Sequence, residues 1–154
     1  MAGTRVRPVA QQRDIFREET FGPYAAADVG GANTYILLPF QSAKRKAIEG
    51  VTVCATVKSS VSQTMALAKA ANGAAAPSGA LAAGAAARVS ENINLNTGIT
   101  NLTVADVPLH PTTGDMTTLN NNFLEAGERL YVHVSDTPTS LAGLYITIRT
   151  RETV

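Results

Sequence analysis

Leu130-Tyr-Val-His-Val-Ser135 and Leu144-Tyr-Ile-Thr-Ile-Arg149 are the two runs that decide the fold of this chain. In each run apolar residues alternate with more polar ones, and a period of two places successive side chains on opposite faces of a β-strand. Residues 136–143 between them contain Pro, Ser, Thr and Gly, which favour turns. The pattern predicts two antiparallel strands that form a hairpin with one buried face. Because an isolated hairpin is marginal in water, further strands must cover that face.

More strands are predicted upstream, separated by Gly, Pro and Asn. Residues 34–39 predict a strand that ends at Pro39. Residues 51–58 alternate most regularly and are rich in β-branched side chains. Residues 64–71 suit either a strand or an Ala-rich helix, and their strand-like neighbours favour the strand. Residues 93–109 add two short strands. This succession of short strands predicts an all-β, antiparallel sandwich or barrel.

The N-terminal residues follow a different pattern. Residues 1–30 are predicted to form an extended N-terminal arm, and residues 31–154 the β-sandwich domain. Residues 11–20 could form a short helix. The arm has too little apolar surface to fold alone, so we expect it to become ordered against a neighbouring molecule, with a frayed terminus as the alternative. Deleting residues 1–28 is expected to leave a folded core.

Residues 70–87 form a stretch rich in Ala and Gly, broken by Gly73 and Pro77. These breaks argue against one regular helix and predict a long loop of small side chains, with a helical turn possible only near 80–87. Loops of this length in a compact domain are usually functional or mobile. Small side chains permit close packing, so we expect the loop to contact another subunit.

The composition restricts the function. Charged residues make up 16% of the chain, below the usual quarter, and the net charge is +1, so no overall field attracts nucleic acid. Cys54 is the only cysteine, which excludes an intrachain disulfide. No secretory signal and no membrane-spanning apolar run stand out. We expect a protein made in the cytoplasm, without a nucleic-acid or membrane partner.

Catalytic groups are sparse. His110 lies beside Pro111 in a loop, and His133 lies on the outward face of its strand. A triad of Ser135, His133 and Asp136 would need neighbouring side chains to converge, which the alternation of a strand prevents. The spacing typical of zinc sites and of phosphate-binding loops is missing. The sequence therefore predicts no enzyme, no cofactor and no metal site, with His133 at the surface or between subunits.

The end of the chain resembles small β-sandwich proteins on the heads of tailed bacteriophages. In those proteins an apolar-x-x-Gly-Asp/Glu-x-Leu-x-Val strand precedes a Thr/Ser-rich turn and a final Gly-Leu-x-Val-x-Leu strand. Here the matching segments read Leu124-Glu-Ala-Gly-Glu-Arg-Leu-Tyr-Val-His-Val and Gly143-Leu-Tyr-Ile-Thr-Ile. Residues 51–58 and 102–109 also look like that pattern, whereas residues 70–87 depart from it.

The resemblance implies a jelly-roll-like β-sandwich that acts as a capsid decoration, or cement, protein. Such proteins are usually homotrimers that bind the major capsid protein on the outer capsid surface of the virion and hold neighbouring subunits together. The arm would clamp the shell, and trimerisation would multiply weak contacts. The alternative is a carbohydrate- or receptor-binding β-sandwich of a phage fibre or surface protein, in which Tyr131 and Tyr145 on paired strands could stack a sugar. The expected capsid or subunit interface comprises Arg5, Arg7, Arg13, Ile15, Phe16, Arg17, Phe21, Tyr24, Lys44, Arg45 and Lys46.

Overall fold

The computed structural model describes residues 14–41, 43–109 and 122–153, and in these ranges the chain is all-β, as predicted. A single 3-10 turn, Ala26–Asp28, interrupts the strands. The strands, in chain order, are β1 (Asp14–Tyr24), β2 (Thr34–Gln41), β3 (Lys46–Val57), β4 (Thr64–Ala70), β5 (Ile93–Asn94), β6 (Ala105–Asp106), β7 (Phe123–Leu124), β8 (Arg129–Val134) and β9 (Ala142–Thr153).

The strands form two antiparallel sheets. The first sheet has the order β1-β9-β3-β6, and β7 also pairs with β3. The second sheet has the order β2-β8-β4-β5. The apolar side chains of the alternating pattern meet between the sheets in one core. Its largest fully buried members are Leu38, Ile48, Met65, Leu67, Leu95, Leu124, Leu130, Leu144, Ile146 and Ile148. Burial of each side chain of this size stabilises the fold by about 1.5–3 kcal/mol.

The predicted strands β8 and β9 are confirmed, but the predicted hairpin between them is wrong. β8 pairs with β2 and β4, whereas β9 pairs with β1 and β3 in the opposite sheet. The connection 135–141 crosses between the sheets, and buried Leu141 anchors it in the core. Alternation indicates which side chains face the core, but it does not indicate which strand lies alongside.

The helix predicted over residues 11–20 is wrong for the part that is described, because residues 14–20 belong to β1. β1 pairs with β9 from Asp14 opposite Thr153 to Thr20 opposite Thr147. Farther along, Phe21 enters the core and packs edge-to-face on Phe40, with ring centroids 6.3 Å apart. Backbone pairing with a long partner strand thus overrides a weak local helix preference. Residues 14–24 are part of the first sheet, and the remainder of the predicted arm, residues 1–13, lies outside the described residues.

The Ala-rich stretch is a loop, as predicted. It covers the outer face of the second sheet, where Leu81 packs with Ala66 and Ala68 of β4 in a small separate apolar cluster. Lys69 donates its backbone N–H to Ala87 O at 2.8 Å, and Val89 donates to Leu67 O at 2.9 Å. The small side chains thus permit close packing on the chain's own sheet. Contact of this loop with another subunit stays a prediction.

Candidate functional site

A cavity of about 440 Å³ lies on the outer face of the first sheet, and we call it the outer groove. Its lining comes from β1, β3, β6 and β9 and from the segment that follows β6. It combines three carboxylates, one guanidinium, two hydroxyls and a small apolar surface. The lining residues are Glu18, Glu49, Gly50, Val51, Thr52, Asp106, Val107, Leu109, Thr147 and Arg149.

The strand register explains why these residues meet. Thr52 lies opposite Thr147 on one side and Asp106 on the other, so these three side chains form one row across three strands. In the adjacent row Glu18 lies opposite Arg149. β3 has an irregularity between Ile48 and Gly50, and a Cβ added at Gly50 would meet nothing within 4 Å. A residue without a side chain therefore helps to leave the groove open.

The charged groups of the outer groove differ in their partners. Glu49 accepts a hydrogen bond of 2.6 Å from Arg151 Nε. That hydrogen bond and the charge of Glu49 raise the pKa of Arg151. Within the ranges given above, neither carboxylate of Glu18 and Asp106 nor the Arg149 guanidinium takes part in an ion pair. Two carboxylates and one guanidinium therefore remain available to a ligand.

An apolar strip continues the same face beyond the groove. Tyr145 is two residues from Thr147 on β9, lies opposite Cys54, and is 41% exposed. Val104 directly precedes β6 and is 65% exposed, and Leu102 donates its backbone N–H to Ala55 O of β3. This strip places an exposed aromatic ring beside a polar groove.

His133 is on the outer face of the second sheet, but the prediction that it lies at the surface is wrong. It is 4% exposed, and its ring centroid is 4.8 Å from that of Tyr35. Its Nε2 lies 3.2 Å from Asn33 Oδ1, and its Nδ1 has no hydrogen-bond partner in the described part of the chain. Burial lowers the pKa of His133, and the positive charge of Arg88 lowers it further.

Arg88 holds the loop that covers this face. It is 2% exposed, and its guanidinium donates to the carbonyl oxygens of Leu81, Ala82 and Ser90 and to Asn92 Oδ1. None of these four acceptors is a carboxylate, so the buried positive charge is stabilised mainly by the dipoles of backbone carbonyl groups. Tyr35 Oη adds a hydrogen bond of 3.0 Å to Gly79 O. The cluster therefore works as a structural clamp on the Ala-rich loop.

The remaining candidate catalytic residues make local contacts. Ser135 Oγ accepts a hydrogen bond from the Thr64 backbone N–H, and Asp136 Oδ1 accepts one from the Thr137 N–H. Neither side chain has a hydrogen bond to His133 in the described ranges. In the same ranges, no group of three His, Cys, Asp or Glu residues is close enough together to hold a metal ion. His110 lies outside those ranges. Within the described ranges, the structure contains no helix of the length and apolar character needed to cross a lipid bilayer.

The predicted interface residues of β1 separate into two groups. Ile15 and Phe16 are 40% and 59% exposed, and Arg17 is also exposed. Phe21 is buried in the core, so the prediction that its ring contacts a partner is wrong. Tyr24 packs half-buried against the core, so only the exposed part of its ring is open to a partner. A strand places alternate side chains on opposite faces, which separates Phe16 from Phe21. Arg5, Arg7 and Arg13 lie outside the described residues.

The basic cluster is engaged within the chain. Lys44 and Lys46 both approach Glu152, at 3.3 and 4.0 Å. Arg45 pairs with Glu125 at 2.9 Å and lies over the Phe123 ring. These contacts join the start of β3 to β7, β9 and the segment after β7. Each of the three cations therefore has a carboxylate partner within the chain, and Lys44 and Lys46 share theirs.

The expectation that Tyr131 and Tyr145 lie on paired strands, on which the alternative carbohydrate-binding function drew, is wrong. Tyr131 belongs to β8 and is 3% exposed, whereas Tyr145 belongs to β9 in the other sheet. The outer groove could not be predicted from the sequence, because its residues come from four separated segments. The available signal was the polar outward set of each strand, Thr52, Thr147 and Arg149, but the strand order needed to combine these residues is not encoded in the alternation.

The comparisons identify no relative. No protein-family model matches the chain, no curated protein is significantly similar to it, and no solved structure matches its fold significantly.

Proposed function

We propose that this chain is a structural virion protein that decorates the outside of a tailed-bacteriophage head and holds neighbouring capsid subunits together. Its partners are the major capsid protein and further copies of itself, in a homotrimer. The observation that carries the proposal is the strand order. When the two-residue β7 is left out, the eight remaining strands follow the order 1-8-3-6 in one sheet and 2-7-4-5 in the other. This order supports a jelly roll, an architecture used by viral capsid proteins.

The edge strand β1 supplies the contact with the head. β1 is the outermost strand of the first sheet, and its outward backbone groups face no strand in the described ranges. An unpaired edge is a template for an added strand. Ile15 and Phe16 expose apolar surface along it, while Arg17, Glu18 and Glu19 discourage indiscriminate pairing. The basic segment with Arg5, Arg7 and Arg13 then pairs with carboxylates of the shell and orients the contact.

Each contact of a β1 edge with the head is weak, and trimerisation raises the apparent affinity. Burial of the exposed part of Phe16 contributes about 1–2 kcal/mol, since full burial of such a ring contributes about 1.5–3 kcal/mol. A homotrimer presents three such edges, and the second and third contacts form at high effective concentration. Linked weak contacts can raise the apparent affinity by about 10²–10⁴. The proposed clamp therefore combines weak edge contacts through symmetry.

Co-sedimentation with expanded heads of the phage that encodes the chain tests this function. Wild-type protein is expected to pellet with expanded heads, and Phe16→Ser is expected to weaken the binding by about tenfold or more. Leu102→Ser is the matched control, because it removes an apolar side chain of similar exposure from the opposite edge of the first sheet. Failure of the wild type to pellet would exclude decoration. Equal binding by both variants would exclude the β1 edge as the contact.

A further inference from the structure

We propose that the outer groove binds a neutral oligosaccharide, with Tyr145 as the platform for a second sugar ring. The proposed head contact uses the unpaired backbone edge of β1, whereas the groove lies on the outer face of the first sheet, and Glu18 of β1 borders both. The inference assigns a ligand class to a cavity that the decoration function leaves without a role.

The outer groove has the size and rigidity of a ligand site. Its volume of about 440 Å³ lies within the range of roughly 300–1,000 Å³ that is usual for small-molecule sites. Thr52, Thr147 and Arg149 are on long paired strands, and Glu18 is on β1, so backbone hydrogen bonds hold their positions. A site on strands needs little ordering when a ligand binds, which lowers the entropic cost of association.

The polar groups select a ligand that donates and accepts hydrogen bonds. Glu18 and Asp106 accept only, Arg149 donates only, and the Thr52 hydroxyl does both. The Thr147 hydroxyl already shares a hydrogen bond of 2.8 Å with the Thr20 hydroxyl and keeps part of its capacity. A sugar hydroxyl can satisfy either kind of partner, and adjacent hydroxyls can bridge a carboxylate and a guanidinium. The three carboxylates outnumber the one guanidinium and repel an anionic ligand, whereas a cation could pair with a carboxylate but would leave the Arg149 guanidinium without a partner. A neutral polyhydroxylated ligand is therefore the class that matches all the groups at once.

The apolar parts of the site match the other surface of a sugar. Leu109 is only partly buried and contributes apolar surface at one end of the groove, whereas Val51 and Val107 belong to the core. Tyr145 is on the same face of β9 as Thr147, so the two Cα atoms are about 7 Å apart along the strand. An elongated ligand can place one ring in the groove and stack the next on the exposed Tyr145 ring. The observations thus favour an oligosaccharide over a single sugar.

Titration calorimetry and ¹H–¹⁵N NMR with maltohexaose, mannohexaose and chitohexaose test this assignment. At least one of these neutral chains is expected to bind, with shifts at the amides of Thr52, Asp106 and Thr147, and more weakly as its disaccharide. Arg149→Ala and Tyr145→Ala are each expected to weaken binding about tenfold, since a charged hydrogen bond and a stacked ring are each lost. Heparin hexasaccharide and hexa-arginine serve as the anionic and cationic probes.

Gly50→Leu is the blocking variant: Gly50 lines the groove, and a Cβ at this position meets nothing within 4 Å, so the variant is expected to fold, as circular dichroism can check. Gly31→Leu is the matched control, since its Cβ position is equally open and lies outside the groove lining. Blocked binding in Gly50→Leu with normal binding in Gly31→Leu would support the site. No binding by any neutral chain, preference for either charged probe, or normal binding by Gly50→Leu would overturn it, while head binding by the β1 edge would be unaffected.

Discussion

Replacement of Arg88 by Met tests how the Ala-rich loop is held on the second sheet. Met keeps most of the length of the side chain but loses the guanidinium, which donates four hydrogen bonds to acceptors of the loop and the segment after it. Each hydrogen bond from a charged donor contributes about 1.5–3 kcal/mol. The full sum is an upper bound, because the carbonyl oxygens of Leu81 and Ala82 can turn to water once the loop detaches. The buried charge also no longer has to be desolvated.

The expected net loss is about 2–4 kcal/mol in the free energy of unfolding, with local opening before global unfolding. Two backbone hydrogen bonds report that opening directly: Lys69 N–H to Ala87 O, and Val89 N–H to Leu67 O. Urea titration followed by circular dichroism gives the global value, and hydrogen exchange at these two amides gives the local one. Arg45→Met is the control, because its ion pair with Glu125 is solvent-exposed and contributes at most about 1 kcal/mol. Unchanged exchange at both amides in Arg88→Met would refute the clamp.

Two further predictions concern His133 and β1. The folded pKa of His133 is lowered, so below pH about 6.5 the unfolded chain binds a proton that the folded chain does not. The free energy of unfolding is therefore expected to fall as the pH decreases from about 6.5 towards the folded pKa. In urea titrations, His133→Gln is expected to make this dependence on pH less steep. An identical dependence in the variant would refute the assignment to His133. Deletion of residues 1–13 is expected to leave the described strands stable, whereas deletion of residues 1–24 removes buried Phe21 and is expected to cost at least about 3–5 kcal/mol. Equal thermal stability of the two truncated proteins would contradict the place of β1 in the sheet. Because β1 belongs to the sheet, the sequence-based prediction that a chain without residues 1–28 keeps a folded core is withdrawn.

The sequence predicted the fold class through the alternation of single strands. β3, β8 and β9 each show one apolar face, and that face lies in the core, as expected from a period of two. Pairing was not predictable in the same way, because an alternating strand suits any neighbour whose inward face is apolar. β8 and β9 consequently look like a hairpin in sequence although they lie in opposite sheets.

Other features depend on contacts that are distant in the sequence. Residues 14–20 show little apolar alternation, and β1 forms because β9 offers a long partner. His133 is buried because a loop that precedes it by some fifty residues covers its face, and no local pattern around His133 signals such a cover. The outer groove combines side chains from four segments, so it becomes visible only once the strand order is known.

Electron cryo-microscopy of intact virions of the phage proposed to encode this chain tests the proposed decoration function most directly. The account predicts sandwich-shaped density on the outer surface of the expanded head, in groups of three copies at the junctions between capsomers, with the β1 edge turned towards the shell. Density for this chain in a tail fibre, or its absence from the virion, would contradict the account.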